Sequence, residues 1–273
     1  MKATPFFDVN GQPSEPLLKL LERLGVQHDG TLKSIRDATQ EAWYQAGKLR
    51  AEIKDTVEQG QLHNDVVGHF SQLGMMHAVE SEGSYEYALL LGATVAAVRK
   101  RLAFLRTQWE KGLLFKELVL LGSERDLIPE KEGHDVLFNP KNAELPFPEV
   151  RAKTAEAPPR NEIEMMEMVC QQADFPWDNR VRVTPVRTPG RANTSVTVQQ
   201  WLKDAQPEPG TCLAMSSQPF VSFQTLVVEK ELKKHNNRFS VDGIGYASLT
   251  LPVATYLDNV AKVIYELAES ECV

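Results

Sequence analysis

The chain is poor in cysteine, in net positive charge and in long apolar runs, and each shortage removes a class of protein. Only Cys170, Cys212 and Cys272 occur among 273 residues, an odd number set far apart. They make neither a CxxC pair nor a disulfide framework, which points to a reducing compartment. Cys170 falls in a helix pattern and Cys212 in a strand pattern, where a cysteine is ordinarily a small core residue. The formal charge of -7 comes without the basic stripe that a nucleic-acid partner demands. One short basic run, Arg99-Lys100-Arg101, sits inside an amphipathic helix pattern and reads as a solvated helix face. The longest near-apolar stretch, residues 87–98, is too short to span a bilayer. Residues 1–16 lack the apolar centre of a signal peptide. Together these features predict a cytoplasmic protein with neither nucleic acid nor membrane as partner.

Strong catalytic signatures are missing too. The chain holds no GxxxxGK[ST], GxSxG, HExxH or GxGxxG; Gly243-Ile244-Gly245-Tyr246 begins the last and does not complete it. Its six histidines show no ligand spacing, so no metal site is predicted. Ser216 and Ser217 offer hydroxyl nucleophiles, but no base for them is identifiable from the sequence.

What the chain does have is rhythm. Residues 1–80 read as helical. One helix opens at Ser14 and stops at Gly25; a longer one runs from about Ile35 to Gln59; a third runs from Asn64 to about His77 and breaks near Gly74. From Tyr85 onward, short apolar runs ending in glycine or small polar residues alternate with helices, and the chain closes on a helix from about Val253 to Ser270. Such alternation implies βαβ units, and continuous apolar strands such as 118–121 fit a sheet covered on both faces. The predicted fold class is α/β. It is a Rossmann-like, doubly wound, mostly parallel five-stranded sheet over residues 84–273, with residues 1–80 as a helical N-terminal extension, either a cap or a small subdomain. Residues 127–160 break the rhythm with six prolines. A stretch of that length is functional or loosely ordered more often than not, and it reads either as a lid or as a passive surface insertion.

Open parallel sheets bind ligands at the carboxyl ends of their strands, near the point where strand order reverses. The residues expected there are Gly92 and Thr94; Gly122, Ser123, Glu124, Arg125 and Asp126; Thr188, Gly190, Arg191, Asn193 and Thr194; Ser216, Ser217 and Gln218; and Asp242, Gly243 and Gly245. Glycine admits a close backbone approach, helix N-termini favour negative charge, and arginine holds phosphate or carboxylate with a fork of donors. Arg125 and Arg191 are therefore the expected anion contacts. Asn193 or Thr194 caps a helix whether or not a ligand is present. Glu162 and Glu164 open another helix; about 200° apart on its surface, they cannot both face one point. Glu162, nearer the sheet edge, is the candidate polar anchor or general base.

The order of five stretches resembles the YdcF/SanA-like domain family: YALLLGATVAAVRKRLAFL, ELVLLGSERDL, NEIEMMEMV, GRANTSVTVQQWL and CLAMSSQPFVSFQTLVVEKEL. The resemblance spans residues 85–245 and implies a Rossmann-like small-molecule binder. It implies a pocket at Gly92, Gly122, Ser123, Glu162, Asn193, Thr194, Ser216 and Ser217, with S-adenosylmethionine or another nucleotide-like compound as ligand. The chain departs from the pattern where QPFVSFQ replaces a frequent His-Xaa-Xaa-Arg, and the membrane anchor common among such proteins is not expected here. Two functions follow as expectations. The first is an enzyme or binder acting on a nucleotide-like or phosphorylated small molecule. The alternative is a non-catalytic interaction or regulatory protein that keeps the Rossmann-like shell and meets a protein partner through its helical N-terminus.

Overall fold

The computed structural model describes residues 4–48, 52–152, 157–178, 180–248 and 251–271; Cys272 lies outside them. Five strands form one sheet: β1 (Ser84–Leu91), β2 (Leu114–Ser123), β3 (Arg182–Thr188), β4 (Thr211–Ser217) and β5 (Ser240–Tyr246). Their order is β3-β2-β1-β4-β5, and every neighbouring pair is parallel. The expected α/β class and doubly wound sheet are therefore present. Strand order reverses between β1 and β4, so the switch point lies beyond Leu91 and Ser217.

Side-chain alternation along the central strands builds two cores. Leu90, Leu118, Leu120, Leu213, Met215 and Ile244 face one side. They are covered by α4 (Val95–Glu110) and α8 (Glu162–Gln172). Leu89, Leu91, Val119, Leu121, Cys212 and Ala214 face the other, against α9 (Thr194–Ala205) and the later turns of α10 (Val221–His235). A strand buried on both faces needs apolar residues at consecutive positions, which is why 118–121 shows no alternation.

Two compact units emerge: residues 79–217 with 227–246, and residues 1–78 with 218–226 and 247–273. In the second, α1 (Glu15–Arg23), α2 (Leu32–Trp43) and α3 (Val57–Gln72) share a core with α11 (Val253–Glu271). Phe70 stacks on Tyr256, ring centroids 4.9 Å apart. The closing helix, which the sequence pattern attaches to the sheet, thus sits in the same compact unit as the N-terminal helices. The continuous helix expected over 35–59 is also absent. α2 stops when Tyr44 turns extended (ψ 124°) and its backbone N–H is followed by that of Gln45 donating to the buried Asp258 carboxylate at 3.0 Å.

Among its described residues the proline-rich segment carries three single-turn helices, α5 (Pro129–Glu132), α6 (His134–Leu137) and α7 (Glu149–Ala152). Leu137 and Leu145 enter the core beside α4 and α8. Arg99 ties the segment down: its guanidinium donates to the carbonyls of Val136 (2.9 Å) and Leu137 (2.7 Å) and to Gln172 Oε1 (3.3 Å). The reading of Arg99 and Arg101 as a solvated face is overturned, because they are 1% and 0% exposed while Lys100 is exposed. They fall on the stripe defined by Val95, Val98, Leu102 and Leu105, and helix geometry takes them inside with it.

Candidate functional site

The carboxyl edge of β1 and β2 is built around one carboxylate. Asn161 caps α8 by accepting a hydrogen bond from the Glu164 N–H at 3.0 Å. An isolated bridge between Asp126 and Asn161, with the Glu162 N–H donating to the Arg125 carbonyl at 3.1 Å, fixes the helix start against the end of β2. Glu162, buried at the first helical position, then points back over the strand ends. Its Oε2 accepts from the Ser123 N–H (3.0 Å) and hydroxyl (2.6 Å), and its Oε1 from Arg125 Nε (3.0 Å). Glu164 turns away and pairs with the exposed Arg160; that guanidinium is the first cause of its carboxyl lying below the ordinary range.

Two glycines make room for this arrangement. A Cβ on Gly92 would lie 2.9 Å from the Glu162 carboxyl carbon, and one on Gly122 would lie 3.0 Å from Ile163 Cα. Glu162 is pinned by three hydrogen bonds and cannot swing aside cheaply. Gly92→Ala is therefore expected to cost about 2 kcal/mol, the range of core overpacking, measured by urea denaturation; a change below about 0.5 kcal/mol would show that Glu162 is free to move.

Arg125 uses all five of its N–H donors inside the protein. Besides Glu162 it forks onto Glu132, Nη1 to Oε2 at 2.9 Å and Nη2 to Oε1 at 3.0 Å, and it also donates to the carbonyls of Asp126 and Ala93. It is 11% exposed and Glu132 0%. No donor is left for a phosphate. Arg125 instead clamps β2, the β1–α4 turn, α5 and α8 together. Glu132, within the insertion, was not anticipated; only its spacing seven residues after Arg125 hints at a pair.

Arg101 is the other guanidinium at this edge. Its Nη1 donates to the carbonyls of Leu91 (2.5 Å) and Gly92 (3.3 Å), which places it under the β1–α4 turn. Its Nε and Nη2 are buried with no hydrogen-bond partner among the described residues. Burial pushes its pKa down to about 10, against the opposing pull of Tyr246 and Glu162. Because the folded value is depressed, the unfolded chain holds this proton more tightly, and folding carries a cost below about pH 10 that fades as pH rises further. That cost is about 3 kcal/mol at neutral pH.

No family model matches this chain, and a search of curated proteins finds no match.

The other expected residues lie as follows. Thr94 is the first cap of α4 but makes no side-chain capping bond. Ser216 and Ser217 are buried at the end of β4. Asn193 caps α9, its side chain accepting from the Val196 N–H at 3.1 Å, and Thr194 is the first residue of that helix. Gly190 takes a positive φ of 62° in the preceding turn. Arg191 is exposed on that turn, after β3, the edge strand; β2 and β1 lie between it and the switch point. Gln218 is buried and donates to the carbonyls of Gly74 (2.7 Å) and His77 (2.9 Å). Asp242, Gly243 and Gly245 fall within β5 rather than after it, and Asp242 accepts from the Tyr85 hydroxyl at 2.9 Å. The expectation that they end a strand is corrected.

Two open grooves lie elsewhere in the same unit. One of about 600 Å³ is lined by Glu124, Asp126, Arg160, Asn161, Glu164 and Arg187. Its arginines are paired, Arg187 with Glu167 and Arg160 with Glu164, so its three carboxylates disfavour an anion. The other, about 640 Å³, lies between the C-terminal ends of α9 and α10, with Lys203, Lys234 and His235 at its wall; cations there complement the helix dipoles without any ligand.

Cys212 is buried and Cys170 half-buried. Desolvation raises both Cys170 and Cys212 to about 12. Their raised folded values contribute stability below about pH 9 that is lost as pH climbs towards 12. In a Cys272→Ser variant, Ellman's reagent at pH 8 is expected to leave both unmodified until denaturant is added; rapid labelling of the native protein would contradict this burial.

Proposed function

We propose that the protein binds a small anionic ligand, nucleotide-like or phosphorylated, at the carboxyl edge of the sheet around the β1–α4 turn. The observation that carries this reading is the buried charge cluster beside the switch point. Glu162, Arg125, Glu132 and Arg101 meet there, where an apolar lining would serve stability as well or better. Costly buried charge concentrates at functional sites, and parallel α/β sheets bind at this edge. The YdcF/SanA-like order of motifs supports the same place and puts S-adenosylmethionine among the compounds to try. Within this reading Glu162 is the polar anchor of the turn, Ser217 and Gly92 border the ligand, and Arg191 belongs to the outer rim.

A thermal-shift screen against nucleotides, sugar nucleotides, S-adenosylmethionine and divalent metals tests it. A ligand at about 100 times its dissociation constant stabilises by about 2.7 kcal/mol. The shift is expected to persist in a Lys203→Ala/Lys234→Ala double variant, which strips the cations from the α9–α10 groove. Loss of the shift in that variant would move the site to the groove. No shift with any compound would favour a protein partner instead.

A further inference from the structure

We propose that Arg101 is the anion anchor of this protein, and that its ligand presents an oxyanion, a phosphate or carboxylate group, to the guanidinium and to the N-terminus of α4. The inference rests on the carboxyl-edge reading above and deepens it by naming the contact.

Three observations converge. First, Arg101 is fully covered, and two of its nitrogens, Nε and Nη2, have no hydrogen-bond partner among the described residues. Arg125, which bonds the Ala93 carbonyl of the same turn, is opposite in character: two carboxylates and two carbonyls consume it. Arg99 spends its Nη groups on Val136, Leu137 and Gln172. Arg101 thus keeps its Nε–Nη2 edge, the edge suited to a two-oxygen acceptor.

Second, its Nη1 bonds to Leu91 and Gly92 set the guanidinium against the turn that opens α4. That helix is 16 residues long, and its cap, Thr94, makes no side-chain bond to the first N–H groups. These N–H groups favour an acceptor of negative charge. Third, the turn belongs to β1, one of the two strands that flank the reversal of strand order. Gly92, Ala93 and Thr94 are half-exposed, so the turn backed by the guanidinium is the place where a ligand's oxyanion approaches it. A buried cation whose own N–H donors are unpaired carries a desolvation cost that an acceptor would offset, so the ligand supplies what the fold withholds.

The test is binding of pyrophosphate, ADP and S-adenosylmethionine to the full chain by isothermal titration at fixed ionic strength, with wild type, Arg101→Met and Arg101→Lys. Pyrophosphate and ADP present phosphate oxygens; S-adenosylmethionine presents a carboxylate, so the arms separate the two sources. For the compound that binds wild type, affinity is expected to fall about 100-fold in Arg101→Met and about tenfold in Arg101→Lys, which keeps a charge but not the fork. Should the methionine variant fail to fold, the lysine variant alone carries the comparison. Equal affinity in wild type and variants would overturn the role of Arg101 and leave the carboxyl-edge site standing. No binding to wild type by any of the three would overturn both.

Discussion

Arg125→Met is expected to destabilise the α/β unit by about 4 kcal/mol, the cost of removing one partner from a buried ion-pair cluster. The substitution preserves much of the volume and removes five donors at once. Glu132, 0% exposed, loses both bonds of its fork, and Glu162 loses the bond to its Oε1. Glu132 and Glu162 would then both lose the guanidinium that bridges them. For a unit of this size the loss corresponds to a drop in melting temperature of about 8–16 °C. Because Glu132 is the point where α5 joins the cluster, proteolysis within residues 127–152 should accelerate. Adding Glu132→Leu should restore part of the loss, since replacing a buried pair by apolar groups is far milder than breaking it. A melting temperature within about 2 °C of wild type would show that the clamp does not hold the edge together.

Glu162→Gln is expected to cost about 3 kcal/mol, although only one atom changes. The carboxylate receives donors on both oxygens: the Ser123 N–H and hydroxyl on one, Arg125 Nε–H on the other. An amide has one oxygen, so its NH₂ group must face a donor whichever way it turns, leaving buried hydrogen-bonding groups unpaired. Chemical denaturation measures the loss directly. A cost below about 1 kcal/mol would mean that the side chain leaves the site easily, and Gly92 would then have no steric reason to be glycine.

The architecture of the sheet was legible because the central strands are short apolar runs followed by small residues, and two of the helices that pack on them start at recognisable caps. Asn161 and Asn193 are such caps in the structure, each accepting a hydrogen bond from the N–H three residues on. Less legible was anything that depends on which elements meet. The break after Trp43 arises because Asp258, more than two hundred residues later, receives the N–H of Gln45; no local pattern contains that. Asp242 looked like a strand end because glycines surround it, yet it is a mid-strand partner of Tyr85.

The arginines show the same limit from another side. Arg99 and Arg101 looked like solvent-facing charge because they flank Lys100, whereas the helical stripe through Val98, Leu102 and Leu105 runs across both. Weighting that period above the composition of three residues would have taken them inside. Arg125 stood out in the GSERDL turn, but its fate is decided by Glu132, hidden in a proline-rich stretch whose course the sequence does not set. Strand order adds the rest. Once β3 is at the edge, the Arg191 turn lies away from the reversal between β1 and β4, a separation invisible to chain order.

A crystal structure of the protein with the compound that gives the largest thermal shift locates the ligand directly. Ligand density is expected on the turn at residues 92–94, with an oxyanion against the first N–H groups of α4. Density in the groove between α9 and α10, or in the acidic groove beside Arg160 and Arg187, would contradict this placement.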